Sequence, residues 1–165
     1  DGLNLYAYCG NNPVVYYDSE GASKKKIRLG AVGGAYNEVD ANGGEIHHMP
    51  ADSISPYGTG AGPGIRMKQE DHWLTKSWGS SKEAKAYRKV QEELIKQGRF
   101  KEAQDMDIAD VRKKFNDKYD KEIAEMEAYT DKLLKKRPVN KELEKKKKRE
   151  ARKKNKDTMD DGKCP

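Results

Sequence analysis

Residues 43–73 read GGEIHHMPADSISPYGTGAGPGIRMKQEDHW, and they hold all three histidines of the chain: His47, His48 and His72. The stretch predicts a strand over residues 44–50, a loop over 51–64, a return strand over 64–67 and a helix from about Lys68. Side chains alternate across a strand. Glu45, His47 and Met49 therefore share one face, and Ile46 and His48 the other. Adjacent histidines at a strand end point to opposite sides of the backbone. One can bind a metal while its neighbour faces a substrate, and His72, 24 residues further on, can join them if strand, loop and helix fold back together. Imidazole suits borderline transition metals and carboxylates suit Mg²⁺ or Mn²⁺. Histidine also titrates in the right range to take a proton from water. These are the parts of metal-assisted phosphodiester hydrolysis. The competing reading is surface histidines in a turn-rich polar loop.

Composition bounds the rest. The 165 residues are 34 % apolar and 38 % charged, and mean hydropathy is −1.14. So polar a chain fills one modest domain and leaves part as exposed helix or disorder. No apolar run reaches membrane-spanning length. The start carries no signal-peptide pattern and no Met, so the chain reads as a piece of something longer. Cys9 and Cys164 lie at opposite ends and form neither a Cys-x-x-Cys pair nor a disulfide framework. The net charge of +6 is uneven: residues 132–156 carry 14 Lys and Arg against 3 Glu. Any attraction to a polyanion rests on that segment, whose plainer reading is a solvated lysine-rich helix.

The first 22 residues, DGLNLYAYCGNNPVVYYDSEGA, place tyrosines around a GNNP turn and suit strands of a larger β structure. Gly2–Tyr6, Tyr8, Asn11–Pro13, Asp18 and Gly21 resemble the closing sequence of an Rhs/YD-repeat core. That resemblance implies a β-cocoon upstream and a variable C-terminal toxin downstream, often released by self-cleavage at Asp-Pro-x-Gly-Leu. Here Asp18-Ser19-Glu20-Gly21-Ala22 replaces the family's Pro and Leu. Residues 23–42 read as a linker with short strands weakened by glycine.

Downstream, Ser80-Ser81-Lys82-Glu83 reads as a capping box with Ser80 as N-cap. Its helix runs to Gln97, with Ala84, Tyr87, Leu94 and Ile95 on one face and Gly98 as the stop. Further helices cover about 99–115 and 117–136, the latter with an Ile123, Met126, Tyr129 and Leu133 stripe limited by Pro138. Residues 138–165 read as a basic, partly disordered tail.

The run Glu45-Ile46-His47-His48-Met49-Pro50-Ala51, then GPGIRM, then Asp71-His72 is similar to the HNH/endonuclease VII superfamily of toxin nucleases, and the helices to about residue 129 look like that subgroup's extension. The resemblance implies an α+β fold: a nuclease domain over 43–137 made of a ββα-metal (His-Me finger) core and a mainly helical extension. It implies His48 as general base, and His47 and His72 as metal ligands. Asp71 is either a ligand or a helix-start residue favoured by the helix dipole. Glu45 either orients His47 or touches the metal. The ion is Mg, Mn, Zn or Ni. Arg66 and Lys68 are candidate nucleic-acid contacts or plain solvated charge. Trp73 and Trp78 read as packing residues, with base stacking as the alternative. GTGAGPG lacks the Gly-Lys-Ser/Thr ending of a P-loop, and no Gly-x-Ser-x-Gly supports a serine hydrolase. The implied protein is a delivered effector that acts in a target cell's cytoplasm on DNA or RNA, with the Rhs core and a cognate immunity protein as partners. The alternatives are a non-catalytic nucleic-acid-binding module with a structural metal, or an Rhs toxin tip of other chemistry.

Overall fold

A computed structural model describes the backbone over residues 14–17, 25–28 and 30–160, with side chains over 30–152. The GNNP turn, the Asp18–Ala22 motif and both cysteines lie outside the described residues. Strand β1 (Val14–Tyr17) pairs antiparallel with β2 (Lys25–Arg28), Val15 opposite Ile27.

Residues 30–160 form an α+β fold. Strands β3 (Gly33–Ala35), β4 (Glu45–His48) and β5 (Pro63–Met67) form an antiparallel sheet in the order β3-β5-β4. Helix α1 (Gln69–Trp73) follows β5 almost at once. Helices α2 (Lys82–Lys96), α3 (Phe100–Phe115), α4 (Asp120–Lys136) and α5 (Val139–Asp160) complete the chain. The expected hairpin and following helix are therefore present in that order.

β5 is the central strand, and Ile65 and Met67 pack with Met49 against Ile108 and Val111 of α3 and Ile123 and Met126 of α4. Each fully buried side chain of this size stabilises the fold by about 1.5–3 kcal/mol. The glycines that weaken β3 as a strand serve its packing. A Cβ on Gly33 would lie 2.0 Å from the backbone oxygen of Glu122, so α4 can close on the strand only over glycine. Glu125 then accepts the Val32 and Gly33 N–H groups at 3.1 and 3.3 Å.

A second apolar cluster joins Tyr57 of the long loop to Ile95, Phe100, Leu133 and Val139. Tyr57 meets Phe100 edge-on at 5.3 Å and donates its hydroxyl to the Arg137 carbonyl at 2.7 Å. The loop between β4 and β5 is thereby tied down at its middle. Its start is tied by buried Gln104, whose Nε2 donates to the Met49 carbonyl and to Thr130 Oγ1, each at 3.0 Å.

Three details differ from the sequence reading. The N-cap of α2 is Ser81, not Ser80: Ser81 Oγ accepts the Ala84 N–H at 3.1 Å, and Gly79 at φ +79° turns the chain just before it. The buried face of α2 includes Gln91, whose amide donates to the Ala103 carbonyl and to Asp107. Residues after Pro138 begin as core rather than tail, because Val139 and Glu142 are buried and Glu142 pairs with Arg137.

Candidate functional site

The β4–β5 register sets the site. His47 lies opposite Ile65 and His48 opposite Gly64, so the two imidazoles leave β4 on different faces. His47 turns inward and is 3 % exposed. Burial first, and then its neighbours His72, His48 and Lys114, hold its pKa well below the usual imidazole value, so it is neutral at physiological pH. Its Nε2 is buried and has no hydrogen-bond partner, an arrangement rare enough to need a reason.

His72, on α1, covers His47 with ring centroids 4.7 Å apart. Its Nδ1 lies 2.5 Å from Glu45 Oε2. Glu45 also accepts from Gln69 Nε2 at 2.9 Å. These bonds, His72's first, hold the Glu45 carboxyl below its ordinary range. An ionised carboxylate only accepts, so Nδ1 of His72 carries the proton. In the neutral ring the lone pair then sits on Nε2. This carboxylate–imidazole arrangement fixes a histidine that binds a metal through its other nitrogen.

His48 is held differently. Its ring stacks on Tyr36 at 4.2 Å and 7°. Its Nε2 lies 3.0 Å from the Thr59 carbonyl, and Asp52 steadies Thr59 by accepting its hydroxyl at 2.8 Å. A carbonyl oxygen cannot donate, so Nε2 carries a proton and the neutral ring keeps its lone pair on Nδ1. Gly62 makes room for this ring, since a Cβ there would lie 3.0 Å from His48 Cδ2. The glycine-rich loop thus positions a histidine rather than a phosphate.

The three histidines line one cleft of about 320 Å³ together with Asp52, Trp78 and Arg88. Arg88 was not among the sequence candidates. On α2, amid exposed lysines and glutamates, it has no local signature. It enters the cleft because its Nη1 donates to the Ser77 and Gly79 carbonyls at 2.5 and 2.9 Å.

The remaining candidates lie elsewhere. Asp71 is engaged by Lys118 and, at 2.5 Å, by the Tyr119 hydroxyl. Partial burial pushes its pKa up, but these two bonds outweigh that and hold it below the ordinary value. Arg66 donates to the Asp40 carbonyl at 3.3 Å and, with Lys68, lines a separate open cleft of about 590 Å³ beside Lys118. The structure therefore gathers Glu45, His47, His48 and His72 and leaves Asp71, Arg66 and Lys68 outside that group.

The orphaned, neutral His47 nitrogen and the carboxylate-oriented His72 fit a divalent ion as two imidazole donors, a set that favours Zn or Ni over Mg or Mn. Among the described residues no set of three or more His, Cys, Asp or Glu side chains is spaced to hold a metal. Water and substrate oxygens would have to complete such a site. No family model, curated protein or solved structure matches the chain.

Proposed function

We propose that this cleft hydrolyses phosphodiester bonds of nucleic acid, with His48 as general base. The observation that carries the reading is the His48 Nε2 bond to the Thr59 carbonyl. It leaves the lone pair on Nδ1, on a ring that lines one cleft with His47, His72 and Arg88. The β4–β5–α1 order supports the ββα-metal core that the sequence resemblance implies.

His48 Nδ1 removes the proton from a water molecule that attacks phosphorus. The bond to the 3′-oxygen breaks, that oxygen takes a proton from solvent, and the 5′-phosphate is left. Arg88 offers charge to the phosphate from the cleft wall. His47 and His72 would hold the divalent ion, with Glu45 orienting His72. When bound, that ion supplies neutralisation of the phosphate and leaving-oxygen charge. In keeping with the Rhs-type closing sequence, we read the chain as the toxin tip of a delivered effector, neutralised by an immunity protein.

The test is cleavage of plasmid and of RNA under Mg²⁺, Mn²⁺, Zn²⁺ or Ni²⁺, with and without EDTA. Cleavage that EDTA abolishes, and that His48→Ala lowers by about 10²–10⁴-fold, is the expected result. Intact DNA and RNA under every ion would overturn the nuclease reading. Undiminished cutting by His48→Ala would overturn the assigned base.

A further inference from the structure

The chain has two tryptophans, and both line one cleft. Trp73 is 48 % exposed and Trp78 44 %, with ring centroids 6.0 Å apart and planes inclined by 38°. The packing role that the sequence suggests for both does not hold, because neither is buried. They line a cleft of about 430 Å³ together with Tyr87 and Lys76. Trp78 and Gly79 also line the histidine cleft, so the two hollows share one wall.

The segment carrying these rings is fixed by polar contacts. Lys76 N–H donates to the buried Asp110 carboxylate at 2.8 Å. Arg88 holds the Ser77 and Gly79 carbonyls. Thr75 Oγ1 donates to the His72 carbonyl at 2.8 Å, which ties the segment to the helix bearing that histidine. Two large aromatic faces are thus presented to solvent on a held backbone. Pre-ordered groups of this kind bind with little further loss of freedom.

We propose that the Trp73–Trp78 cleft is a nucleobase-stacking subsite, and that the substrate strand is single-stranded or locally melted where it is cut. The inference rests on the phosphodiester reading of the adjacent cleft. Bases in a duplex are stacked on one another and cannot offer a face to an indole without leaving the helix. An unpaired base can, and aromatic stacking accepts any of the bases. Lys76 and Arg88 flank the path with charge suited to the backbone. A base on Trp78 would lie beside the phosphate that His48 addresses.

Because the chain's tryptophans are both in this cleft, indole emission reports its occupancy directly. The full chain is titrated in EDTA, which separates binding from cleavage. The probes are labelled single-stranded DNA, single-stranded RNA of matching sequence, and the blunt DNA duplex. Saturable quenching by a single strand, at least about tenfold weaker with duplex, is expected. Trp78→Ala should weaken single-strand binding by about tenfold or more, and Trp78→Phe should retain most of it. Thermal melts of both variants should match the parent, since the ring is exposed. Strand binding seen by anisotropy without any change in indole emission would overturn the proposal. So would a Trp78→Ala chain that binds as tightly as the parent. Emission indifferent to every oligonucleotide would also overturn it, and would leave the patch to a protein partner. If no metal supports cleavage while quenching persists, the nuclease reading fails and the stacking site stands. Cleavage without quenching gives the reverse.

Discussion

His47 and His72 lie against each other with ring centroids 4.7 Å apart, and Glu45 grips Nδ1 of His72. The pair comes from a strand edge and a one-turn helix that only the intact hairpin brings together. Glu45→Gln keeps the shape of the gripping side chain and removes its charge. The expected outcome is a loss of divalent-ion affinity of about 10–100-fold, read by calorimetric titration with Zn²⁺ or Ni²⁺. Circular dichroism should remain that of the parent. Unchanged affinity would mean that the carboxylate does not orient His72 toward an ion.

His48 depends on a missing side chain as much as on its bonds. Gly62→Ala would place a Cβ 3.0 Å from Cδ2 and 3.4 Å from Nε2 of the ring. The imidazole must then shift away from Tyr36 or from the Thr59 carbonyl. Cleavage should fall by about tenfold or more, because small misplacements of a reacting group are costly. The backbone at Gly62 has φ −60°, which alanine accepts, so the thermal midpoint should move little. Parental activity in Gly62→Ala would show that the ring's position is not restrictive.

Much of this site was legible in the sequence, for physical reasons. The period-two pattern of EIHH and the start of helix at Lys68 place His47, His48 and His72, because strand and helix geometry are local properties. The stripe Ile123, Met126 and Leu133 likewise marks the buried face of α4. What stayed hidden depends on contacts between distant segments. Arg88 reaches the cleft only through the backbone of residues 77–79, and Tyr36 reaches His48 from a strand-end turn that no motif marks. Asp71 has good ligand chemistry, yet Tyr119 and Lys118, nearly fifty residues on, take it. The tryptophans' exposure is also non-local, since nothing in the spacing says that no helix covers them.

Gly33 tests the packing that supports the sheet. The contact a Cβ would make is with helix backbone, which cannot swing aside as a side chain can. Gly33→Ala should therefore push α4 away from β3 and cost about 1–3 kcal/mol or more. Urea unfolding of the full chain measures this directly. A cost below about 0.5 kcal/mol would mean that strand and helix can separate without losing the Met126 and Ile123 contacts.

Glu142 links the last helix to the site and gives stability a defined acid limb. Its carboxylate pairs with Arg137 Nη2 at 2.6 Å and Lys145 Nζ at 2.8 Å, with the Glu142 side chain 4 % exposed. The Arg137 bond, with Lys145, holds its pKa down at about 2 from the usual 4.5. A carboxyl depressed on folding stabilises the fold fully above its unfolded value and loses that contribution as pH falls toward the folded one. Stability should therefore decline as pH drops from about 4.5 to about 2, to an extent of about 1–3 kcal/mol from this group. Glu142→Gln should remove that part of the slope and destabilise the chain at pH 7 by a similar amount. The carbonyl of Arg137 receives the Tyr57 hydroxyl, and Tyr57 lies two residues before Thr59, the partner of His48. The same variant should thus loosen the loop, seen as faster amide exchange at residues 57–60. A pH profile identical to the parent's, or unchanged exchange in that loop, would break the link between the last helix and the histidine site.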